Sequence, residues 1–231
     1  MAVFYILLAL SITLACVFVL VQNPKMPLLS FFLKGLASVS VVIFAVYAGF
    51  HSMMLENAEG ILLVAGLLLC TLGDVCLALL EFNIKDAKYK IINSGETSFF
   101  LAQVCFIVAL SFLISSGLAI VIPLLIGMVC VAVIYFMQKP LKLDYKTSTA
   151  STLIYSFGLS SSLALSVSNL IVNGFSAGSL LLMIGFIFFF ASDLILSMIY
   201  FKEKSPRYLY YPNLATYYIA IILIASSMIC F

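Results

Sequence analysis

The stretch Leu72-Gly73-Asp74-Val75-Cys76-Leu77-Ala78 puts a carboxylate in the middle of an apolar segment. A similar stretch, Ala191-Ser192-Asp193-Leu194-Ile195-Leu196-Ser197, occurs in the second half of the chain. In both, a small residue precedes Asp and a Leu follows three positions after it. A charged group inside a membrane span is costly, so an ionisable residue there predicts a functional site. Two matched stretches favour this reading over an isolated structural hydrogen bond.

The composition predicts an integral membrane protein. Of the 231 residues, 65% are hydrophobic and only 9% are charged, whereas about a quarter of the residues in a typical soluble domain carry charge. The net charge of +2 is small, and no basic cluster is interleaved with aromatic residues. This pattern argues against a nucleic-acid partner.

Eight segments are long and apolar enough to cross a membrane, which takes about 20 residues. Polar or proline-containing connections separate them, and no stretch resembles a soluble domain. The predicted fold class is an all-α membrane protein, a bundle of eight transmembrane helices in a single integral membrane domain, residues 1–231. The predicted spans are 2–21, 31–50, 60–80, 97–114, 118–137, 148–170, 178–201 and 211–230.

The basic residues predict the orientation of the bundle. All 11 of them lie in or beside the first, third, fifth and seventh connections, and Lys and Arg accumulate on the cytoplasmic side of membrane proteins. We therefore expect the odd-numbered connections to face the cytoplasm and both termini to lie on the opposite side. For a bacterial source, the membrane would be the cytoplasmic (plasma) membrane.

Asp74 and Asp193 are the only acids that these boundaries put deep inside spans. Both lie on helices that run toward the cytoplasm, and both lie roughly 10–13 Å from the cytoplasmic boundary, given the helical rise per residue. Because the two helices are parallel and the depths are equal, we expect the two carboxyl groups to face one shared cavity. The matched settings also favour an internal duplication of four helices plus four, with parallel copies.

Other polar residues fall at or below the same depth. They are Lys34 at the start of the second span, Gln103 in the fourth, Tyr155 in the sixth, and Tyr217 and Tyr218 in the eighth. All four helices enter the membrane from the cytoplasmic side, so these residues can converge on the aspartates. The alternative is that the tyrosines are interfacial and that Lys34 extends its ammonium group to the membrane surface.

The single histidine limits the chemistry that the chain can perform. His51 lies at the far end of the second span, so neither a three-histidine zinc site nor a Ser-His-Asp device is expected near the aspartates. No phosphate loop or dinucleotide motif is present, and we expect no metal and no cofactor. A close pair of buried carboxyl groups can instead act as general acid and general base. We expect a single-chain lipid within the bilayer as the substrate, and its phosphate would lie near Lys34.

Five motifs, taken in order, resemble the YhhN-like lysoplasmalogenase family of eight-helix membrane proteins. The motifs are Lys34-Gly35-Leu36, Leu72-Gly73-Asp74, Phe100-Leu101-Ala102-Gln103, Ser192-Asp193-Leu194-Ile195-Leu196 and Thr216-Tyr217-Tyr218. The resemblance covers most of the chain, although Gly35, Gln103 and Phe106 stand where the family usually has Pro, His and Tyr.

The resemblance implies hydrolysis of the vinyl-ether bond of a lysophospholipid, a lysoplasmalogen, to a fatty aldehyde and a glycerophospho-headgroup. Asp74 and Asp193 would be catalytic, and the sequence leaves open which of them is the acid. The expected substrate-binding residues are Lys34, Gln103, Tyr155, Ser192, Tyr217 and Tyr218. Two other functions would use the same buried aspartates: a proton-coupled transporter and a non-catalytic lipid-binding membrane protein.

Overall fold

Eight long helices make up the computed structural model, which describes residues 2–22, 25–82, 87–202 and 205–231. Within these residues all eight helices are long and apolar enough to cross a membrane, which confirms the all-α class and the number of spans. The basic residues Lys85 and Lys204 and the break at Asn23-Pro24 lie outside the described residues. The helices are α1 (Ala2–Val21), α2 (Pro27–His51), α3 (Ala58–Ala78), α4 (Lys88–Leu113), α5 (Leu118–Leu141), α6 (Thr149–Asn173), α7 (Ala177–Phe201) and α8 (Tyr210–Ser227).

Several helices are longer than their apolar segments. The sequence put the start of α4 at residue 97, but the helix begins at Lys88 and includes Glu96. Hydropathy marks only the part of a helix that lies in hydrocarbon, whereas backbone hydrogen bonds continue the helix through polar turns. Glu96 therefore lies within α4 and not in the connection that precedes it. Its carboxylate accepts hydrogen bonds from Ser151 (2.6 Å) and Thr152 (2.7 Å) of α6.

Sequential helices pack in pairs: α1 with α2, α3 with α4, α5 with α6 and α7 with α8. In addition, α2 packs on α3, α6 on α7 and α4 on α6, while α8 contacts α1, α2 and α3. The two halves of the chain thus share the same order of helix pairs, which is the pattern that a duplication of four helices would give. The duplication itself stays a prediction.

Small residues let neighbouring helices approach closely, as they do in many membrane bundles. A Cβ atom on Gly73 of α3 would lie 2.6–2.9 Å from the Phe99 ring of α4, so this ring packs directly on the backbone beside Asp74. A Cβ atom on Gly127 of α5 would in the same way meet Ser161 of α6. The small residue before Asp74 therefore brings α4 against the candidate site.

The basic residues collect at one end of the bundle, which we call the basic end. It comprises the connections between α1 and α2, α3 and α4, α5 and α6, and α7 and α8, and its described members include Lys25, Lys88, Lys142 and Arg207. Because the number of described spans is even, both termini lie at the opposite end.

We expect both termini to face away from the cytoplasm, because the basic end carries the Lys and Arg residues. A reporter that is active only in the cytoplasm should be silent when fused after Phe231. The same reporter should be active when fused after Lys142 of a chain truncated there, because that position lies at the basic end. A bright C-terminal fusion in intact cells would contradict this orientation.

Candidate functional site

Asp74 lies at the centre of a buried polar group contributed by α2, α3 and α8. Lys34 Nζ lies 3.2 Å from Asp74 Oδ1, while Ser38 Oγ (2.6 Å) and Tyr217 OH (2.7 Å) both donate to Asp74 Oδ2. Asp74 is only 2% exposed and Lys34 only 8%. One ammonium group and two hydroxyl donors compensate the negative charge, which burial would otherwise disfavour.

Lys34 is turned inward rather than toward the membrane surface. Tyr218 OH donates to the backbone carbonyl of Lys34 at 3.3 Å and lies 3.2 Å from Ser38 Oγ. Tyr218 thus supports the turn of α2 that carries Lys34 and Ser38. Because Tyr217 and Tyr218 are buried and bonded in this way, the interfacial reading of these two tyrosines is wrong.

Asp193 has a simpler setting on α7. Its Oδ2 accepts a hydrogen bond from Tyr155 OH of α6, and Tyr155 is 8% exposed. Asp193 itself is only partly buried, in contrast to Asp74. Each carboxyl group thus accepts a hydrogen bond from a tyrosine, and Asp74 is in addition paired with an ammonium group.

Phe99 of α4 lies between the two tyrosines that hold the carboxyl groups. Its ring centroid is 6.3 Å from that of Tyr155 and 6.1 Å from that of Tyr217. Phe189 of α7 extends this cluster, with its centroid 5.7 Å from that of Tyr217 and a T-shaped geometry. Both contacts with Tyr217 are edge-to-face, a geometry that favours defined ring positions, and Phe99 links Tyr155 to the same cluster.

A polar cavity of about 700 Å³ is lined by both Asp74 and Asp193 and extends to the basic end. Its walls come from α1, α2, α3, α4, α7 and α8. The equal depth of the two aspartates predicted a shared cavity, and this lining confirms it. Lys88, Lys202 and Arg207 lie at the mouth, where their charge favours an anionic group.

An apolar cavity of about 320 Å³ lies beside the polar one and is bounded mainly by α4, α5, α6 and α7. Tyr155 and Glu96 contribute to its lining, together with aliphatic side chains of α5. Asp193 is on the wall of both cavities. The residues that line both are Leu77, Phe99, Asp193, Leu196 and Tyr200.

Three of the predicted substrate-binding residues have other neighbours. Ser192 lines the polar cavity, but its Oγ donates to the Asn213 carbonyl at 3.2 Å and accepts from Asn213 Nδ2 at 3.0 Å, which ties α7 to α8. Tyr218 lies behind Ser38, outside the cavity lining. Gln103 is fully buried beside Gly158 of α6, outside the lining of both cavities. Its depth matches that of the aspartates, but it lies on the helix face toward α6.

Four candidate residues were missing from the sequence prediction: Ser38, Glu96, Phe99 and Asn213. Two of them carry a readable signal, because Ser38 lies one turn after Lys34 and Asn213 one turn before Tyr217, which puts each pair on one helix face. Glu96 was missed because its turn of α4 was assigned to a connection. Nothing in the sequence distinguishes Phe99 among 20 phenylalanines.

The chemistry of the site is that of carboxyl, hydroxyl and ammonium groups. Among the described residues, no group of three or more His, Cys, Asp or Glu side chains is arranged to hold a metal ion. His51 stacks on Tyr47, with ring centroids 5.9 Å apart, at the end of α2 away from Lys34. The arrangement offers two carboxyl groups on the wall of one cavity, one paired with an ammonium group and one with a phenol.

Comparison with known proteins identifies the family. The sequence model of the YhhN family matches residues 29–228, which is most of the chain. The chain therefore belongs to the YhhN family. No curated protein and no solved structure matches it.

Replacing Lys34 with Met should destabilise the fold, because the Asp74 carboxylate would remain buried without its ammonium partner. The expected loss is about 3–5 kcal/mol in the free energy of unfolding, and adding Asp74→Asn should recover most of it. Thermal unfolding in detergent measures both variants. Lys139→Met, at an exposed position of α5, is the control and should match the wild type. Equal stability of the single and double variants would show that the pair is not coupled.

Proposed function

We propose that this member of the YhhN family is a membrane-embedded hydrolase that cleaves the vinyl-ether bond of a lysophospholipid. The products are a fatty aldehyde and a glycerophospho-headgroup. The observation that carries the proposal is that Asp74 and Asp193 line one cavity but have unlike partners. Vinyl-ether hydrolysis needs a carboxylic acid and a negative charge close to the same carbon atoms, which this pair supplies.

Asp74 has the role of the permanent anion. One of its carboxyl oxygens forms an ion pair with the Lys34 ammonium group. The other accepts hydrogen bonds from the hydroxyl groups of Ser38 and Tyr217. Charge-assisted hydrogen bonds of this kind stabilise the ionised form of a carboxyl group. Asp74 therefore serves as the electrostatic stabiliser of a cationic intermediate and orients the attacking water.

Asp193 has the role of the acid. Its partner is the neutral phenol of Tyr155, and the Asp74 anion faces the same cavity. Two carboxyl groups that share a site do not both ionise readily, so a single shared proton resides on the one that lacks the ammonium group. Asp193 is also the carboxyl group that both cavities reach, which suits direct proton transfer to a bound lipid.

The proposed reaction consumes one water. Asp193 gives its proton to the vinyl carbon farther from the ether oxygen; the C=C electron pair forms the C–H bond, and an oxocarbenium ion remains. Water adds to the cationic carbon and passes a proton to Asp193, which restores the acid. The hemiacetal then breaks its bond to the glycerol oxygen, which takes the hydroxyl proton as the aldehyde leaves. The Asp74 anion stabilises the cation through the slow first step.

The basic end supplies the contact for the phosphate of the substrate. Lys88, Lys202 and Arg207 line the mouth of the polar cavity, and cationic side chains there attract an anionic headgroup. The sequence assigned this role to Lys34. Its ion pair with Asp74 makes Lys34 a positioning residue, which fixes the anion and its charge.

Replacing either aspartate by Asn should slow turnover severely, because an amide at Asp193 cannot give up the proton and an amide at Asp74 carries no negative charge to stabilise the cation. We expect each variant to release aldehyde from lysoplasmalogen about 10²–10⁴-fold more slowly than the wild type. The double variant should be little worse than the slower single one, because the two act as a unit. Asp144→Asn, at a solvent-exposed position, should retain full activity. A transporter or a lipid-binding protein would release no aldehyde even as the wild type.

The proposed first step also fixes where a solvent hydrogen ends up. In D₂O the acid proton of Asp193 exchanges with solvent, so the released aldehyde should carry a single deuterium on the carbon next to its carbonyl group. Mass spectrometry of the aldehyde, trapped as it forms, measures this label. Unlabelled aldehyde from the wild-type enzyme would rule out protonation at carbon.

A further inference from the structure

The apolar cavity is closed at the basic end. There Tyr145 packs edge-on against Phe201, with ring centroids 4.7 Å apart, and the Asp144 backbone N–H donates to the Phe201 carbonyl at 2.9 Å. Leu143 pairs with Lys202 in an isolated bridge. These contacts tie the α5–α6 connection to the end of α7, so a molecule does not enter this cavity along the bundle axis.

The opening of the apolar cavity lies instead on the side of the bundle, between α5 and α7. Val133 and Met137 of α5 and Leu194 of α7 all line the cavity, yet they are 53%, 45% and 45% exposed. Side chains that are half-exposed at membrane depth and line a cavity mark its rim. The rim is apolar and faces the region that lipid chains occupy in a bilayer.

The lining determines which occupant fits. The wall that α5 contributes is Cys130, Val133, Ile134, Met137 and Leu141, whereas the polar lining residues, such as Tyr155 and Asp193, lie on the other helices. A buried water needs two to four polar partners, which the α5 wall does not offer. The cavity volume of about 320 Å³ is also roughly ten times the share of one liquid water. A flexible hydrocarbon chain matches both the size and the chemistry.

We infer that the apolar cavity holds the hydrocarbon chain of a single-chain ether lysophospholipid, which enters sideways from the bilayer between α5 and α7. The headgroup of the same molecule occupies the polar cavity. Asp193, Phe99 and Tyr200 line both cavities. The ether bond that joins the hydrocarbon chain to the glycerol of the headgroup therefore lies against Asp193. This inference rests on the proposed function, because the chain is that of its substrate.

The test measures binding apart from turnover. Saturated 1-O-alkyl lysophospholipids of increasing chain length lack the vinyl group and are not hydrolysed, so their dissociation constants report binding alone. The purified full-length protein is studied in lipid nanodiscs, and dissociation constants are referred to the aqueous lipid monomer after correction for partition into protein-free nanodiscs. Affinity should then rise by up to about fourfold for each added methylene that the cavity buries. In Val133→Phe the added ring narrows the rim. We expect its affinity for the longest chains to fall by at least about tenfold, the effect of excluding roughly two methylenes.

Val129→Phe is the matched control, because Val129 is on the same helix and 64% exposed but does not line the cavity. It should bind the series as the wild type does. Cys130→Phe, which fills the cavity deeper along α5, should reproduce the loss for long chains, and thermal unfolding shows that both variants are folded. Equal binding of long chains by the wild type and both cavity variants would overturn the inference.

The outcomes separate the two proposals. In one outcome, affinity rises with chain length, Val133→Phe weakens the binding of long chains, and no aldehyde is released from a vinyl-ether lipid. This outcome would support the chain site and overturn the hydrolase. Aldehyde release with identical chain-length profiles for wild type, Val133→Phe and Cys130→Phe would support the hydrolase and overturn the chain site.

Discussion

The ion pair between Lys34 and Asp74 is the interaction on which the site depends. It joins α2 to α3. The hydroxyl groups of Ser38, also on α2, and of Tyr217, on α8, donate hydrogen bonds to the same carboxylate. Buried ion pairs seldom add net stability, because apolar residues of similar volume hold a core equally well. A pair retained at this depth therefore points to a need for a fixed negative charge. The catalytic proposal uses that charge, whereas a purely structural role would leave it without a purpose.

The two aspartate stretches are alike in sequence and unlike in their surroundings. Each aspartate accepts a hydrogen bond from a hydroxyl group on the preceding helix. Ser38 of α2 lies 36 residues before Asp74, and Tyr155 of α6 lies 38 residues before Asp193. In a four-plus-four relation α2 corresponds to α6, so the donors occupy comparable positions. The difference arises from Lys34, which has no counterpart beside Tyr155 in the sequence. In the proposed mechanism, a single lysine thus distinguishes two similar carboxyl groups, one as the anion and one as the acid.

The sequence predicted the spans well and the inward helix faces poorly. Hydropathy located the eight spans, because membrane thickness constrains their length, and the positions of Asp74 and Asp193 along their spans predicted one common level. The same reasoning gave Tyr155, Tyr217 and Lys34 as neighbours of the aspartates. It also gave Gln103, which has the right depth but lies against Gly158 of α6. Which face of a helix is inward follows from packing between helices, and depth alone does not encode it.

The peripheral position of α5 connects the site to the membrane around it. In the most apolar stretch of α5 only 11% of the residues are buried, compared with 56% in α6, the helix on which it packs. The side chains of α5 nevertheless form one wall of the apolar cavity. This helix packs through Gly127 on Ser161 of α6 and otherwise faces outward. The wall that it forms therefore leaves a gap toward α7. For a substrate whose chain is dissolved in the bilayer, such a gap removes the need to extract the lipid into water, which would cost about 0.8 kcal/mol for each methylene exposed. The reactive bond can then meet Asp193 while most of the chain stays in an apolar environment.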